Sequence, residues 1–138
     1  MGVRLILRKA LERDLKAIND LTDELHRYLA GMYDLELSAE ELEEEHFVRE
    51  ELGNVYVAED TETGIVGYIS FSPARDEWAG QHYELEHLVV REDFRGSGVA
   101  EMLFSILLER AKLERFNIKT GTLLRNEGGF EVLQEDGV

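Results

Sequence analysis

Apolar residues recur with a helical period in the first part of the chain. Leucine or isoleucine occupies positions 11, 15, 18, 21, 25 and 29, and polar or charged residues fill most positions between them. Steps of three and four place these side chains on one face, so the pattern predicts a long amphipathic helix. Residues 3–8 before it are rich in aliphatic side chains, which predicts a first strand.

A second helix is predicted to begin at Ser38. Ser38 and Glu41 have the spacing of a capping box, in which a serine caps the N–H group three residues later. We expect this helix to continue to about Leu52, with a strongly acidic surface. A run of acidic residues on a helix usually forms a face that is simply exposed to solvent, and this is the favoured interpretation here.

A hairpin is predicted next. Residues 55–59 and 65–71 have strand-like composition, and residues 60–64 contain the turn-forming types Asp, Thr and Gly. Pro73, the only proline, is expected to end the second strand.

The last third of the chain has the residue patterns of one more strand, a helix and a final strand. Residues 82–90 end in three consecutive apolar residues, which suits a strand covered on both faces. Apolar positions from Val99 to Leu113 have a helical period, and residues 116–124 are strand-like. The order of elements predicts an α+β fold, a mixed sheet with helices on its faces. Without repeats or a linker, residues 1–138 are expected to form a single domain.

Composition narrows the classes of protein. The 138 residues include no cysteine, which excludes disulfides, thiolate metal sites and a cysteine nucleophile. No apolar run is long enough to span a membrane, and the N-terminus lacks the pattern of a signal peptide. We therefore expect a cytoplasmic protein that does not engage membranes.

The charge is acidic and unevenly spread. The net charge is −15, and residues 1–90 carry 21 acidic and 8 basic side chains. Nucleic-acid binding requires a basic face, so it is disfavoured. An acidic front half suits a cationic substrate, although solubility alone explains the same residues.

The segment from Arg95 to Ala100, Arg-Gly-Ser-Gly-Val-Ala, lies between an apolar strand and a helix. Its glycines allow a tight turn, and the start of the helix offers unpaired N–H groups to a phosphate or pyrophosphate. A connection that only turns the chain is the alternative. The lysine of a Walker loop is missing, and Glu101 stands where a dinucleotide-binding loop needs its third glycine.

This segment resembles the Arg/Gln-x-x-Gly-x-Gly/Ala motif of the GNAT N-acetyltransferases. Arg95, Gly98 and Ala100 occupy the motif's first, fourth and sixth positions. Residues 85–95 are similar to the family's fourth strand and the turn into its third helix, and residues 64–69 to its third strand. The resemblance covers about residues 3–126. It implies a mixed, mostly antiparallel central sheet flanked by helices, and acetyl transfer from acetyl-CoA to an amine, without a metal.

The resemblance also implies a cofactor site. The CoA pyrophosphate is expected on backbone N–H groups of residues 95–100, that is Arg95, Gly96, Ser97, Gly98, Val99 and Ala100. The pantetheine arm is expected along the strand backbone at Leu88 and Val90, where an N–H group near Leu88 would polarise the thioester carbonyl. Asn126, at the family's asparagine position after the fifth strand, is expected to be a further cofactor contact.

Two glutamates are candidates for the catalytic base. Family members place a glutamate base at positions resembling Glu86 or Glu84, and strand alternation predicts that both share a face with Leu88. Their mutual repulsion and burial should raise the pKa of at least one of them. Two solvated strand carboxylates are the alternative, and a metal site with His82 is disfavoured. His87 is predicted to lie on the opposite face, away from catalysis.

The C-terminal end departs from the family pattern. Asn126 is followed almost at once by Gly129-Phe130, without the short helix and the tyrosine that reprotonates the CoA thiolate in many members. This predicts a shortened C-terminal end. Water or another side chain could protonate the thiolate, a second subunit could complete the sheet in a homodimer, or the protein could be a CoA-binding module that has lost catalysis. A binding protein for another phosphorylated ligand is a further alternative.

Overall fold

The computed structural model describes residues 4–78 and 80–120. Five strands form one sheet in the order β1-β2-β3-β4-β5. Their bounds are β1 Leu5–Lys9, β2 Val55–Asp60, β3 Gly64–Asp76, β4 Gly80–Val90 and β5 Asn117–Thr120. Neighbouring strands are antiparallel except β4 and β5, which are parallel. The predicted α+β class with a mostly antiparallel sheet is confirmed.

Helices cover both faces of this sheet. They are α1 Leu15–Met32, α2 Ala39–Glu44 and α3 Val99–Glu114, and short 3₁₀ turns precede α1, β2 and α3. The α1 face of the sheet buries a cluster that includes Ile18, Leu21 and Tyr68. The α3 face buries a larger cluster that includes Leu103 and Leu107. The predicted stripe on the first helix is confirmed for Leu15, Ile18, Leu21 and Leu25, whereas Leu11 precedes α1 and both Leu11 and Leu29 are exposed. The predicted position of α3 is confirmed.

The predicted second helix is wrong in its length. Ser38 caps it as expected, because its Oγ accepts a hydrogen bond from the Glu41 N–H at 3.1 Å. The helix ends at Glu44, however, and a 3₁₀ turn covers Arg49–Asn54. Side chains of α1 hold His46 and Phe47 between these two elements, so tertiary contacts replace the helical bonds.

The second strand of the predicted hairpin, β3, was expected to end at Pro73. This prediction is also wrong, since β3 continues to Asp76. β2 pairs with β3 only as far as Ser70, so the part of β3 that contains Pro73 is paired with β4 alone. A strand with one open side tolerates a residue that lacks an N–H group. β4 correspondingly begins at Gly80, earlier than the sequence predicted.

The described part of β5 spans four residues. It pairs with β4 from His82↔Asn117 to Leu85↔Thr120. The predicted remainder of this strand, to residue 124, and the C-terminal segment lie outside the described residues. No helix within residues 4–78 and 80–120 combines the length and apolar character needed to cross a bilayer.

Candidate active site

The glycine-rich loop has the backbone geometry of an anion-binding site. Gly96 and Gly98 have φ angles of 80° and 91°, a region that favours glycine, and Gly98 is the N-cap of α3. The N–H groups of Gly98, Val99, Ala100 and Glu101 have no acceptor among the described residues. The start of α3 therefore presents free donors together with the positive end of the helix dipole.

Internal hydrogen bonds hold this loop in shape. The Ser97 N–H donates to the carbonyl oxygen of Phe94 at 3.3 Å, and the Ser97 hydroxyl donates to the same oxygen. The Arg95 N–H likewise donates to the carbonyl oxygen of Glu92 at 3.3 Å. Two of the predicted pyrophosphate donors, the N–H groups of Arg95 and Ser97, therefore serve the turn.

Arg95 directs its side chain away from solvent and towards α1. Its Nη2 lies 3.7 Å from Oε1 of Glu24, its guanidinium carbon lies 5.7 Å from the centre of the Tyr28 ring, and its Nε donates to the carbonyl oxygen of Val90 at 3.3 Å. The loop is thereby joined both to α1 and to the end of β4.

The second half of β4 offers its backbone beside this loop. Leu88 and Val90 are buried, and their side chains pack in the cluster under α3. β5 pairs with β4 only from His82 to Leu85 within the described part of the chain. The roles of Leu88 and Val90 along a pantetheine arm stay predictions, as do the cofactor roles of residues 95–100.

A β-bulge in β4 changes which side chains share a face. Ser70 pairs with His87, but the next residue of β3, Phe71, pairs with Leu85, so Glu86 is the extra residue. A bulge interrupts strict alternation, because two residues of one strand oppose one of its partner. The predicted common face of Glu84, Glu86 and Leu88 is therefore wrong: Leu88 packs under α3, and Glu86 lines a cleft on the α1 side.

The same bulge overturns the predicted position of His87. Glu86 and His87 both line this cleft, which has a volume of about 200 Å³. His87 was expected on the face opposite Glu86. The extra residue of the bulge places both side chains on the same face, and no sequence pattern indicated this bulge. Sequence reasoning thus missed His87 as a residue of the candidate site.

The cleft is acidic. Carboxylates from three parts of the chain line it, together with two histidines: Glu44, Glu45, Glu51 and Glu86, with His46 and His87. No lysine or arginine stands among its described lining residues. The cleft therefore favours a cationic ligand.

The pKa values of two neighbouring groups are shifted. Burial raises the pKa of Glu86 above its ordinary value, the charges of Glu84 and Glu51 raise it further, and a hydrogen bond with Ser72 opposes them. The predicted rise for one of the two strand glutamates is confirmed for Glu86. Burial lowers the pKa of His87, His26 lowers it further, and Glu45 acts in the opposite direction.

Two side chains of α1 hold the wall of this cleft. Asn19 bonds both backbone groups of Phe47, and the Nε2 atom of His46 lies 2.8 Å from Oδ1 of Asp23. The Phe47 ring in turn stands edge-on to His87, with ring centres 5.6 Å apart. Sequence reasoning assigned no role to Asn19, because its partner is 28 residues away.

Glu84 lies two residues before Glu86 on β4, and its carboxylate contacts a histidine. Its Oε1 is 3.3 Å from Nε2 of His82, whose Nδ1 lies 2.9 Å from the carbonyl oxygen of Gly80. His82 is fully buried. No three His, Asp or Glu side chains in the described part of the chain are arranged to hold a metal ion. Asn126 lies outside the described residues, and its cofactor role stays a prediction.

Comparison with known proteins agrees with this geometry. The profile of the acetyltransferase (GNAT) family matches residues 8–129. No significantly similar sequence was found among curated proteins. The fold and this match define the class as acetyltransferase. The chain belongs to the GNAT family, as the resemblance of its loop predicted.

Solved structures share the fold. An acetyltransferase from Trypanosoma brucei is 25% identical with a TM-score of 0.61, over 86% of this chain and 83% of that one. N-acetylglutamate synthase from Neisseria gonorrhoeae, solved with coenzyme A and N-acetylglutamate, is 19% identical with a TM-score of 0.60, over 93% of this chain and 27% of that one. A glucosamine N-acetyltransferase region of a fungal β-N-acetylglucosaminidase is 20% identical with a TM-score of 0.64, over 88% of this chain and 14% of that one. This chain thus spans only a small part of the latter two proteins.

Proposed function

We propose that this protein transfers the acetyl group of acetyl-CoA to a primary amine, by direct attack in a ternary complex. The observation that carries the proposal is that one strand, β4, joins the two parts such a reaction needs. The strand runs from the acidic cleft at Glu86 to the loop that begins α3. Glu86 and Val90 are four residues apart, about 13 Å along an extended strand.

The donor would occupy the loop side of this strand. The free N–H groups at the start of α3 suit the pyrophosphate of CoA. Because these donors are already held in place, they lose little conformational entropy on binding. The pantetheine arm would lie along the backbone of Leu88 and Val90. A backbone N–H group near Leu88 would stabilise the oxyanion that forms when the thioester is attacked.

The acceptor amine would occupy the cleft. An aliphatic amine is protonated at neutral pH and must lose a proton before it attacks. Glu86 is the proposed proton acceptor, since its raised pKa brings its basicity closer to that of the amine. Glu84 raises that pKa through its charge and is the second candidate for the same role.

The acceptor is proposed to be cationic. Glutamates 44, 45 and 51 line the cleft with Glu86, so an ammonium group would find carboxylates on several sides. A diamine or a basic peptide would bind more tightly among these carboxylates than an amine without a second positive charge. Homodimer formation and a cytoplasmic location remain predictions from the sequence.

A release assay for CoA thiol tests this function. Acetyl-CoA is offered with a diamine, a monoamine of the same chain length and an acidic amino acid, and products are identified by mass spectrometry. We expect thiol release with the diamine and an acetylated amine of matching amount. Binding of acetyl-CoA without release for any amine would favour the alternative, a CoA-binding module without catalysis.

A further inference from the structure

Conversion of an ammonium group into an amide removes two protons from nitrogen, and Glu86 accounts for only one. We propose that His87 carries the second proton: its Nε2 takes it from the nitrogen after the C–N bond forms and returns it to the sulfur as the C–S bond breaks. This inference rests on the proposed function and assigns a role that the base at Glu86 leaves open.

The position of His87 follows from the bulge. Because Glu86 is the extra residue of β4, the side chains of both residues line one cleft. His87 also directly precedes Leu88, whose backbone region is the proposed place of the thioester carbonyl. Along β4, His87 thus stands between the proposed first proton acceptor and the residue whose backbone is proposed to hold the thioester.

Contacts fix the orientation of the His87 ring. Its Nδ1 lies 3.1 Å from Oγ of Ser70, which is 1% exposed, and the Phe47 ring packs edge-on against it. No described residue hydrogen-bonds Nε2. The Ser70 hydroxyl group can accept a hydrogen bond from Nδ1–H, so that Nε2 is the nitrogen with a lone pair that can accept a proton. The bond from Nδ1–H to Ser70 persists when the ring is protonated.

The surroundings favour the neutral form of the ring. Burial lowers the pKa of His87, and His26 adds to this, against the opposing charge of Glu45. The other titratable groups of the cleft, from the elements around it, are Glu44, His46, Glu51 and Glu86. A neutral imidazole can accept a proton, and a depressed pKa makes the imidazolium a ready donor to the thiolate.

The steps balance in protons and electrons. Glu86 takes one proton from the ammonium group, and the nitrogen lone pair then attacks the thioester carbon to give a tetrahedral intermediate. Nε2 of His87 takes the second proton from this nitrogen. Collapse of the oxyanion expels the sulfur with the C–S bonding pair, and the imidazolium protonates it. The products are the amide, CoA thiol and a proton on Glu86, which passes to water.

Chemical rescue of His87→Ala tests this role. We expect turnover to fall by roughly 10²–10⁴-fold, with little change in the KM for acetyl-CoA. Added imidazole should restore turnover, whereas pyrazole, a ring of the same size and much lower basicity, should not. His46→Ala is the matched control: the Nε2 of His46 faces Asp23, so no gain from imidazole is expected.

The outcomes are distinct. Full turnover by His87→Ala, equal rescue by both azoles, or rescue by neither would overturn the role of His87. If the alanine variant does not fold, His87→Gln is used, and full turnover by this variant, with an acid-side fall in kcat at the same pH as in the wild type, would overturn the role of His87. Absence of turnover by the wild-type protein with every amine would instead overturn the proposed function itself.

Discussion

The side-chain amide of Asn19 holds the backbone of Phe47 at both of its polar groups. Oδ1 accepts a hydrogen bond from the Phe47 N–H at 2.8 Å, and Nδ2 donates to the Phe47 carbonyl oxygen at 3.2 Å. The segment after α2 is thereby attached to α1. Since Phe47 contacts His87, this attachment also sets one wall of the cleft.

Asn19→Ala should therefore loosen the cleft wall. Loss of both bonds leaves two backbone groups of a half-buried segment without a partner, which costs about 1–3 kcal/mol of unfolding free energy. The KM for the amine should rise more than the KM for acetyl-CoA. Denaturant unfolding and steady-state kinetics measure the two effects.

Asp20→Ala is the neighbouring control. Asp20 is exposed, and within the described part of the chain it pairs only with exposed Lys16, so its removal should change stability by less than about 0.5 kcal/mol. Equal losses for the two variants would contradict the part given to Asn19.

Gly67→Ala should displace α3 from the sheet. A Cβ atom at Gly67 would lie 2.9 Å from the carbonyl oxygen of Val89 and 3.3 Å from Cγ1 of Val99, the first residue of α3. Such overpacking costs about 1–3 kcal/mol, and the shift should weaken acetyl-CoA binding. Thermal unfolding and calorimetric titration give both values.

Gly31→Ala is the matched glycine control. Gly31 lies in α1, and a Cβ atom there would meet nothing within 4 Å. Alanine is the better helix former, so this variant should be more stable by about 0.5–1 kcal/mol. Destabilisation by Gly31→Ala and none by Gly67→Ala would refute the proposed close approach of α3.

Asp14 should make stability depend on pH in the acidic range. Burial opposes its ionisation, but hydrogen bonds from Arg8 at 2.7 and 3.0 Å and from the Leu11 N–H at 2.7 Å together lower its pKa. A lowered carboxyl pKa adds stability above the unfolded value of about 3.9, and this is lost as the pH falls through the folded value. Asp14→Asn should thus be less stable than the wild type at pH 7, and the difference should shrink below about pH 4. A constant difference in urea unfolding from pH 7 to pH 2 would exclude this account.

Much of the fold could be predicted from the sequence, because its elements depend on local patterns. The apolar stripe of α1, the serine cap of α2 and the glycines before α3 each act within a few residues. The early end of α2 could not be predicted, since it depends on Asn19 and Asp23 of another helix. The bulge at Glu86 likewise cannot be recognised from the residue types around it. Strict alternation of side chains along β4 therefore assigned Leu88 and His87 to the wrong faces relative to Glu86.

Glu86→Gln should lower turnover by roughly 10²–10⁴-fold and leave acetyl-CoA affinity nearly unchanged. The pKa of Glu86 is raised, so its ionised form opposes folding, and the free energy of unfolding at neutral pH should not fall in the variant. Glu84→Gln removes a carboxylate that lies against His82 and should have the smaller effect on turnover. Rate profiles against pH for the three proteins decide between the two glutamates. Full activity of Glu86→Gln would show that the base lies elsewhere.

Calorimetric titration with acetyl-CoA of the wild type, Gly98→Asn and Gly98→Asp tests the central claim most directly. Both side chains tolerate a positive φ angle better than other residues and are nearly equal in size, so the two variants differ mainly by one negative charge. If the start of α3 holds the CoA phosphates, the wild type binds, Gly98→Asn binds more weakly, and Gly98→Asp binds at least about tenfold more weakly again, or about 1.4 kcal/mol. Equal affinity of the two variants, or no binding by the wild type, would contradict the account.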